Sequence, residues 1–262
     1  GPDEYHERVH NNAFTNRMVQ MVFDYLFEVK AYYKDINSDY FNQLVDILRF
    51  KHELELIEVM KEKLYVPKPN KALIIEQFDG YFLLKDIDLK ERLKEKLNAN
   101  EYLGGQGLLG DTQNIKQADV MTMLYLFNSE YSEEVIKANF DYYEPRTEHG
   151  SSLSASMYAL GASIIGDKTY AYPLFMKSAS VDLTGNSKQF AGGIYIGGTH
   201  PAASGGAYLT AIYGFSGLHI DTEIHLKPAL PKSIQKMTYR IKHLGKTYEI
   251  MVTKNNYLIK EI

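Results

Sequence analysis

Three carboxylates and an imidazole lie within five residues near the start of the sequence. Asp3, Glu4, His6 and Glu7 form this cluster, with Tyr5 between them. A carboxylic acid in such a setting can serve as a general acid that protonates a leaving oxygen. The alternative interpretation is a solvated, charged segment, and composition alone favours that alternative.

A second polar cluster, Lys116-Gln117, lies where a helix is predicted to begin. Asn114 and Gln117 have the spacing of a capping box, which places Lys116 and Gln117 on the first helical turn. Gln117 then only closes the cap while Lys116 points into water. The functional alternative is that both side chains donate hydrogen bonds to sugar hydroxyls at the mouth of a pocket.

Two further polar segments suit anion binding. The loop from Tyr142 to Ser152 mixes aromatic, charged and hydroxyl groups. Ser151 or Ser152 can cap the helix that follows, and the same helix start can hold an anion such as phosphate. The glycine-rich stretch 192–206 surrounds His200. This stretch is either a flexible connection or a pocket wall in which His200 donates to phosphate.

Composition and missing motifs exclude several classes of protein. The chain has 29 basic and 33 acidic residues, a net charge of 29 − 33 = −4, and no basic stripe, so nucleic acid is not an expected partner. No apolar run approaches the roughly 18 residues of a membrane span, so no membrane partner is expected. P-loop, G-x-S-x-G and H-E-x-x-H motifs do not occur, and no metal site is expected. The absence of cysteine fits a cytoplasmic location.

Apolar residues recur at helical spacing along most of the first 215 residues. Helices are predicted over Asn12–Lys30, Ser38–Tyr65, Asn114–Phe127, Ser132–Tyr142, Ser152–Ile165, Asp167–Val181 and Ser204–Phe215, an extended segment over Lys71–Leu84 and a polar loop over Asn98–Gln113. After Gly217, alternating runs at Tyr239–His243 and Thr247–Thr253 predict an antiparallel sheet. The sequence therefore predicts a mainly α fold with a β tail. Because it begins at Gly1 inside a motif, we expect a piece of a longer protein.

Five motifs, in this order, resemble glycoside hydrolase family 65. They are Gly1-Pro2-Asp3-Glu4-Tyr5-His6, Asn11-Asn12-Ala13-Phe14-Thr15-Asn16, Gln77-Phe78-Asp79-Gly80, Lys116-Gln117-Ala118-Asp119-Val120 and Asn139-Phe140-Asp141-Tyr142-Tyr143-Glu144-Pro145-Arg146-Thr147. The family contains inverting phosphorylases of maltose, kojibiose, nigerose and trehalose, and hydrolases such as acid trehalase. The resemblance implies the later helices of an (α/α)6 barrel in residues 1–217, then a small antiparallel β domain in residues 218–262. By analogy with the family, the parent protein would be a homodimer.

The resemblance also implies roles for seven residues. Glu4 would be the general acid. The glucosyl unit would be held by Lys116, Gln117 and Glu144. The phosphate pocket would contain Ser151, Ser152 and His200. Gly150 stands where many members have aspartate, and the loop around His200 departs from the commoner Gly-x-His form. No cofactor is implied, and inorganic phosphate is a co-substrate beside the disaccharide.

The number of carboxylates separates two reaction types. An inverting hydrolase needs an acid and a second carboxylate that activates water, whereas phosphorolysis needs only the acid. Between Asp182 and Asp221 the sequence has no acidic residue. We therefore expect inverting phosphorolysis of an α-glucosyl disaccharide to β-D-glucose 1-phosphate and a free sugar. Two alternatives stay open: hydrolysis with Glu148 as the base, and an inactive sugar-binding fragment.

Overall fold

The computed structural model describes residues 1–94, 103, 109–183, 189–191, 194–196 and 198–262. In these ranges the α-helices are α1 (Ala13–Ile47), α2 (Lys51–Lys63), α3 (Leu89–Leu93), α4 (Val120–Leu126), α5 (Glu133–Tyr143), α6 (Ser154–Ile164), α7 (Lys168–Ala179) and α8 (Pro201–Leu209). A π-helical segment, Thr210–Phe215, continues α8. The strands are β1 (Gln189–Ala191), β2 (Ile194–Ile196), β3 (Leu218–Ile220), β4 (Ile224–Leu226), β5 (Lys236–His243), β6 (Lys246–Thr253) and β7 (Tyr257–Glu261).

The longer helices form two rows. In the first row, α4 packs against α1 and α6, and α6 packs against α8. In the second row, α2 packs on α1, α5 on α4 and α6, and α7 on α6 and α8. The chain thus alternates between a helix of one row and a helix of the other, as in an (α/α)6 barrel. The mainly α fold predicted from sequence, a portion of such a barrel followed by a small β region, is confirmed.

Helices α6 and α8 run in the same direction and touch closely. Gly206 faces Ser156 and Gly214 faces Ser163, so positions advance along both helices together. A Cβ added at Gly206 would lie 2.5 Å from the Cβ of Ser156 and closer still to its Oγ. Because real Cβ atoms do not approach that closely, only glycine allows this spacing. The two helix starts therefore lie at one end of the fold.

The start of α4 lies at the same end. Ile115 pairs with Thr147 in a parallel bridge, and the Gly150 N–H donates to the Lys116 carbonyl at 3.0 Å. The residues before α4 and those before α6 therefore run side by side. The start of α1 joins them, since the Asn12 side-chain amide donates to Asp119 Oδ2 at 3.1 Å.

The packing follows the side-chain pattern of α6. This helix carries small or apolar residues on every side, and nine of its residues are buried: Ser154, Ala155, Ser156, Tyr158, Ala159, Leu160, Gly161, Ala162 and Ser163. A helix that is apolar all round belongs inside a fold. The one phenol in that set is satisfied, because the Tyr158 hydroxyl bonds Thr147 Oγ1 at 2.5 Å.

The first two predicted helices differ from the observed ones. Helix α1 runs beyond Lys30 and is interrupted at Asn37 (φ −164°, ψ 81°), whose Oδ1 accepts from the Tyr40 N–H at 3.0 Å. That interruption lies next to the predicted start at Ser38. The predicted helix Ser38–Tyr65 is wrong as a single element, because Arg49 adopts φ 53° and the Phe50 N–H closes the helix end on the Val45 carbonyl at 2.9 Å. Neither glycine nor proline marks this break.

The predicted helix Asn114–Phe127 begins too early. In the structure α4 begins at Val120, and Lys116 and Gln117 belong to the preceding segment. The backbone N–H of Ile115 donates to the Arg146 carbonyl at 2.9 Å and that of Lys116 to Asp3 Oδ1 at 2.9 Å. These tertiary bonds keep the segment out of a helix, so the predicted capping box is not formed.

The predicted starts of the later helices lie close to the observed ones. Ser132 caps α5 and Asp167 caps α7, close to the predicted starts, and α8 begins three residues before Ser204. Within Lys71–Leu84 the structure has a short 3₁₀ turn, Tyr81–Leu83, and no regular strand. Most of the predicted loop Asn98–Gln113 lies outside the described residues.

The tail forms the predicted antiparallel sheet. Strands β5, β6 and β7 pair in sequence order, and a two-residue turn, Leu244-Gly245, joins β5 to β6 with φ values of 47° and 79°. Ile250 and Val252 of β6 are buried in the same core as the helices. We propose residue 217 as the boundary between the helical domain and the β domain. In the part of the chain that the structure describes, no helix has both the length and the apolar character to cross a bilayer.

Candidate active site

Glu4 and Lys116 form an ion pair at the end of the fold where the helix starts meet. The Lys116 side chain is 14% exposed and that of Glu4 is 61% exposed. The backbone of Lys116 is fixed on both sides, since its N–H donates to Asp3 and its carbonyl accepts from Gly150. The carboxylate expected to be the general acid and the lysine expected to bind sugar are therefore brought together.

Asp3 is a buried carboxylate that organises this region. It accepts hydrogen bonds at 2.6 Å from His6 Nδ1, at 3.1 Å from Gln77 Nε2, at 2.9 Å from the Lys116 N–H and at 3.3 Å from the Tyr5 N–H. It thereby ties the segment that carries Glu4 to the segment that carries Lys116. The sequence identifies Asp3 as part of a charged cluster but does not predict its hydrogen-bond partners.

His6 is held between two acceptors. Its Nδ1 faces Asp3 and its Nε2 lies 2.7 Å from the Thr112 carbonyl. Because a carboxylate and a carbonyl only accept, both ring nitrogens donate when both bonds are formed, which requires an imidazolium. Burial lowers the pKa of His6, but the hydrogen bond and the charge of Asp3 outweigh burial and raise the pKa above its ordinary value.

Asp119 is fully buried beside Asp3. Burial raises the pKa of the Asp119 carboxyl to about 7, although the hydrogen bond from Asn12 opposes this shift. Its Oδ1 has no hydrogen-bond partner in the described residues. This aspartate was not singled out from the sequence.

The other two expected sugar-binding residues differ in their surroundings. Gln117 is buried, and its Oε1 has no hydrogen-bond partner within the described part of the chain. Glu144 accepts a hydrogen bond from the Tyr170 hydroxyl, and its Oε1 lies 3.8 Å from His149 Nε2. His149 lowers the pKa of Glu144, burial opposes this, and Tyr170 adds to the lowering, so Glu144 is an anion at neutral pH.

Glu148, the base of the alternative hydrolytic mechanism, is occupied by hydrogen bonds. It accepts from the Tyr5 hydroxyl, and both of its oxygens lie 3.2 Å from the Leu103 N–H. These bonds join the residue after Glu4 to the loop before α6. The neighbouring His149 has φ 54°, and its Nδ1 bonds Ser154 Oγ at 2.9 Å. Positive φ at a non-glycine residue is a strained conformation that often occurs at functional sites.

The two serines lie just ahead of α6. Ser151 Oγ accepts from the Leu153 N–H at 3.3 Å, and the Ser151 carbonyl accepts from the Ser154 N–H at 3.1 Å. Leu153 occupies the capping position and makes no side-chain cap. The prediction that a serine caps α6 is therefore wrong in its detail, because the Ser151 hydroxyl bonds one residue ahead of the helix.

His200 lies at the start of α8 and is bound by Asp182. The backbone N–H of His200 donates to Asp182 Oδ2 at 2.6 Å, and its Nδ1 lies 2.7 Å from Asp182 Oδ1. The His200 hydrogen bonds lower the pKa of Asp182. No acidic residue lies between Asp182 and Asp221 along the sequence, but Asp182, at the edge of that span, reaches His200 in space.

Helix packing determines which of the expected site residues lie close to one another. Glu4, Lys116 and Ser151 are linked through Lys116 and Gly150, and Glu144 is joined through His149. His200 lies at the same end of the fold because α6 and α8 are parallel. In the described ranges no hydrogen bond joins His200 to either serine, and no three histidine or acidic side chains are placed to hold a metal.

The model of the glycosyl hydrolase family 65 central catalytic domain matches residues 1–204. The chain belongs to glycoside hydrolase family 65. This membership agrees with the paired helices of the fold.

Relatives in family 65 match over the whole chain. A nigerose phosphorylase of Lachnoclostridium phytofermentans is 48% identical over 100% of this chain and 35% of the relative. A kojibiose phosphorylase of Caldanaerobacter subterraneus subsp. tengcongensis is 37% identical over 100% of this chain and 34% of the relative. A solved structure, described as a putative kojibiose phosphorylase from human microbiome, superposes with TM-score 0.84 at 29% identity, covering 100% of this chain and 34% of that one. The chain spans about a third of the length of these relatives.

Proposed function

We propose that the complete protein containing this sequence is an inverting glycoside phosphorylase. A phosphate oxygen attacks the anomeric carbon of an α-glucosyl disaccharide, the glycosidic C–O bond breaks, and Glu4 gives its proton to the departing oxygen. The products are β-D-glucose 1-phosphate and a free sugar. The observation that supports the proposal is the contact of Glu4 with Lys116, at the place where the segments before α4 and α6 run side by side.

We propose that Lys116, Gln117 and Glu144 hold the glucosyl unit. The orphaned Oε1 of buried Gln117 supports this role, because a buried acceptor without a partner is costly and a sugar hydroxyl would satisfy it. Glu144, kept anionic by His149 and Tyr170, is a charged acceptor for a second hydroxyl.

We propose that phosphate binds between Ser151, Ser152 and His200. Helix starts carry free N–H groups and a partial positive charge, and both α6 and α8 begin at this end. The nucleophile is already an anion, so the protein supplies donors here instead of a base. The bonds that occupy Glu148 further support phosphate over activated water.

Hydrolysis is the second candidate, and the contact of Asp182 with His200 favours it. A carboxylate that holds an imidazole in one tautomer can make the other nitrogen a base for water. The two reactions differ in their need for phosphate, and one assay separates them.

The test measures sugar release by the complete polypeptide with and without inorganic phosphate. Nigerose, kojibiose, trehalose and maltose serve as substrates, and NMR identifies the anomer of the sugar phosphate. We expect release only with phosphate and only the β-anomer. Equal release without phosphate would refute phosphorolysis.

The role of Glu4 is tested by substitution. Glu4→Gln should abolish cleavage while leaving the fold intact, because an amide has no proton to give. Glu7→Gln, in the same charged cluster, is the control and should keep most of the activity. An active Glu4→Gln enzyme would remove Glu4 from its role.

We propose that these 262 residues are inactive by themselves. Apolar side chains of α1 are exposed, including Tyr25 at 68% and Ile47 at 76%. Such a surface favours association. Size-exclusion chromatography and hydrophobic-dye binding should show aggregation of the isolated chain, whereas a monodisperse, active chain would contradict this proposal. A homodimeric, cytoplasmic parent protein is proposed from the family and from the absence of cysteine.

A further inference from the structure

Asp182 accepts hydrogen bonds from His200 with both of its carboxylate oxygens. One oxygen accepts from the backbone N–H at 2.6 Å and the other from the ring Nδ1 at 2.7 Å. Asp182 lies just beyond α7 and His200 immediately precedes α8, so the contact joins two helices as well as two side chains. The side chains are partly buried, at 28% and 19% exposed. The ring can therefore neither shift nor rotate freely.

The contact also decides which ring nitrogen can meet a ligand. A carboxylate is an acceptor only, so the hydrogen must be on Nδ1. Nε2 is then the outward nitrogen, and the described residues supply it with no hydrogen-bond partner. A protonated Nε2 donates to an oxyanion, and the pair then has no net charge. Without the imidazolium, the Asp182 carboxylate would repel phosphate.

We propose that Asp182 is a positioning residue for phosphate binding, because it holds the His200 ring with Nε2–H directed at the anion. This inference rests on the proposed phosphorolysis and on His200 as a phosphate ligand. It adds a residue that does not itself touch the substrate. Asp182 acts only through His200, and this separates its role from that of a general structural contact.

The experiment compares steady-state kinetics of Asp182→Asn and Asp182→Ala in the complete enzyme. We expect KM for phosphate to rise by about tenfold or more, since a hydrogen bond to a charged group is worth about one to two powers of ten in affinity. KM for the disaccharide should stay unchanged and kcat should fall less than KM rises. Asp182→Glu, which keeps the carboxylate, should recover part of the phosphate affinity lost in Asp182→Ala.

Asp221→Asn is the matched control. Asp221 also faces a histidine, with His225 Nε2 at 3.3 Å, but this pair lies in the β tail. It should leave both KM values unchanged. Thermal unfolding of each variant confirms that the comparison is between folded proteins.

A double-mutant cycle with His200→Ala tests the dependence directly. In the His200→Ala background, Asp182→Asn should add nothing to KM for phosphate, because the residue it positions is gone. Fully additive effects of Asp182→Asn and His200→Ala on KM for phosphate would overturn the inference. An unchanged KM for phosphate in the Asp182 variants would also overturn it, provided that the wild-type enzyme requires phosphate. If the wild type needs no phosphate, the proposed function itself fails, and that outcome is recognised before any variant is made.

Discussion

The Lys116 ammonium group binds the Glu4 carboxylate across 112 positions of sequence. Lys116 is fixed by its backbone bonds to Asp3 and Gly150, so its side chain can hold Glu4 in one place. A fixed donor beside a reacting carboxyl reduces the number of unproductive geometries.

We predict that Lys116→Met lowers kcat/KM by about 100-fold, a size typical of losing a charge-assisted hydrogen bond at a reacting group. Lys85→Met is the control, because Lys85 forms an exposed ion pair with Asp111 at 2.6 Å. Exposed pairs contribute little, so this variant should resemble the wild type. Steady-state kinetics decide the matter, and near-normal activity of Lys116→Met would contradict the assigned role.

The fold was predictable from sequence where side-chain pattern and caps agree. Helices α5 and α7 have clear caps at Ser132 and Asp167, and both were predicted close to their observed starts. The prediction of a helix over Lys116 was wrong because long-range backbone bonds to Asp3 and Arg146 outweigh a local capping pattern. Local propensity cannot report such bonds, since their partners are distant in sequence.

The same contrast between local sequence patterns and long-range contacts applies to the site residues. Glu4 and Lys116 were found through motifs, and the structure places them in contact. The partners that orient candidate site residues, Asp182 for His200 and Tyr170 for Glu144, have no sequence signal. They are ordinary polar residues 18 and 26 positions away, brought close only by helix packing.

His6 should make stability depend on pH. Its pKa in the folded protein is raised, so its stabilising effect is fully present below the ordinary value of about 6.5 and is lost as pH rises through the folded value. His6→Asn should lower the free energy of unfolding at pH 6 by about 3 kcal/mol, as expected for a broken buried pair. Between pH 6 and pH 9, the free energy of unfolding should fall less in His6→Asn than in the wild type.

The measurement is urea unfolding at several pH values. His10→Gln is the control, because His10 is exposed. A pH dependence in His6→Asn as steep as that of the wild type would show that another group titrates.

Asp119 should produce a second pH effect of the same sign. Burial raises the pKa of this carboxyl in the folded state, so the folded protein holds the proton more tightly than the unfolded chain. Stability therefore falls as pH rises from the unfolded value of about 4 towards about 7. Asp119→Asn should flatten this fall, because the amide carries no charge to bury.

Unfolding free energies at pH 5 and pH 8 test this expectation. Asp79→Asn serves as the control, since Asp79 is exposed and its carboxylate accepts a hydrogen bond from the Asn11 side chain at 2.7 Å. If Asp119→Asn and the wild type lose equal stability over this range, Asp119 is not the group that titrates.

Two adjacent glycines of α8 should respond oppositely to alanine. A Cβ at Gly206 would lie 2.5 Å from the Cβ of buried Ser156, so Gly206→Ala must separate α8 from α6 and should cost about 1–3 kcal/mol. A Cβ at Gly205 meets no atom within 4 Å, so Gly205→Ala should raise stability by up to about 1 kcal/mol through helix propensity.

The same pair of variants connects packing to phosphate. Because α8 carries His200 at its start, moving α8 away from α6 should also raise KM for phosphate in Gly206→Ala but not in Gly205→Ala. Ser156→Gly removes the atoms that clash and should restore part of both losses when it is combined with Gly206→Ala. A Gly206→Ala enzyme with normal stability and normal phosphate KM would mean that the contact between α6 and α8 neither limits packing nor positions His200.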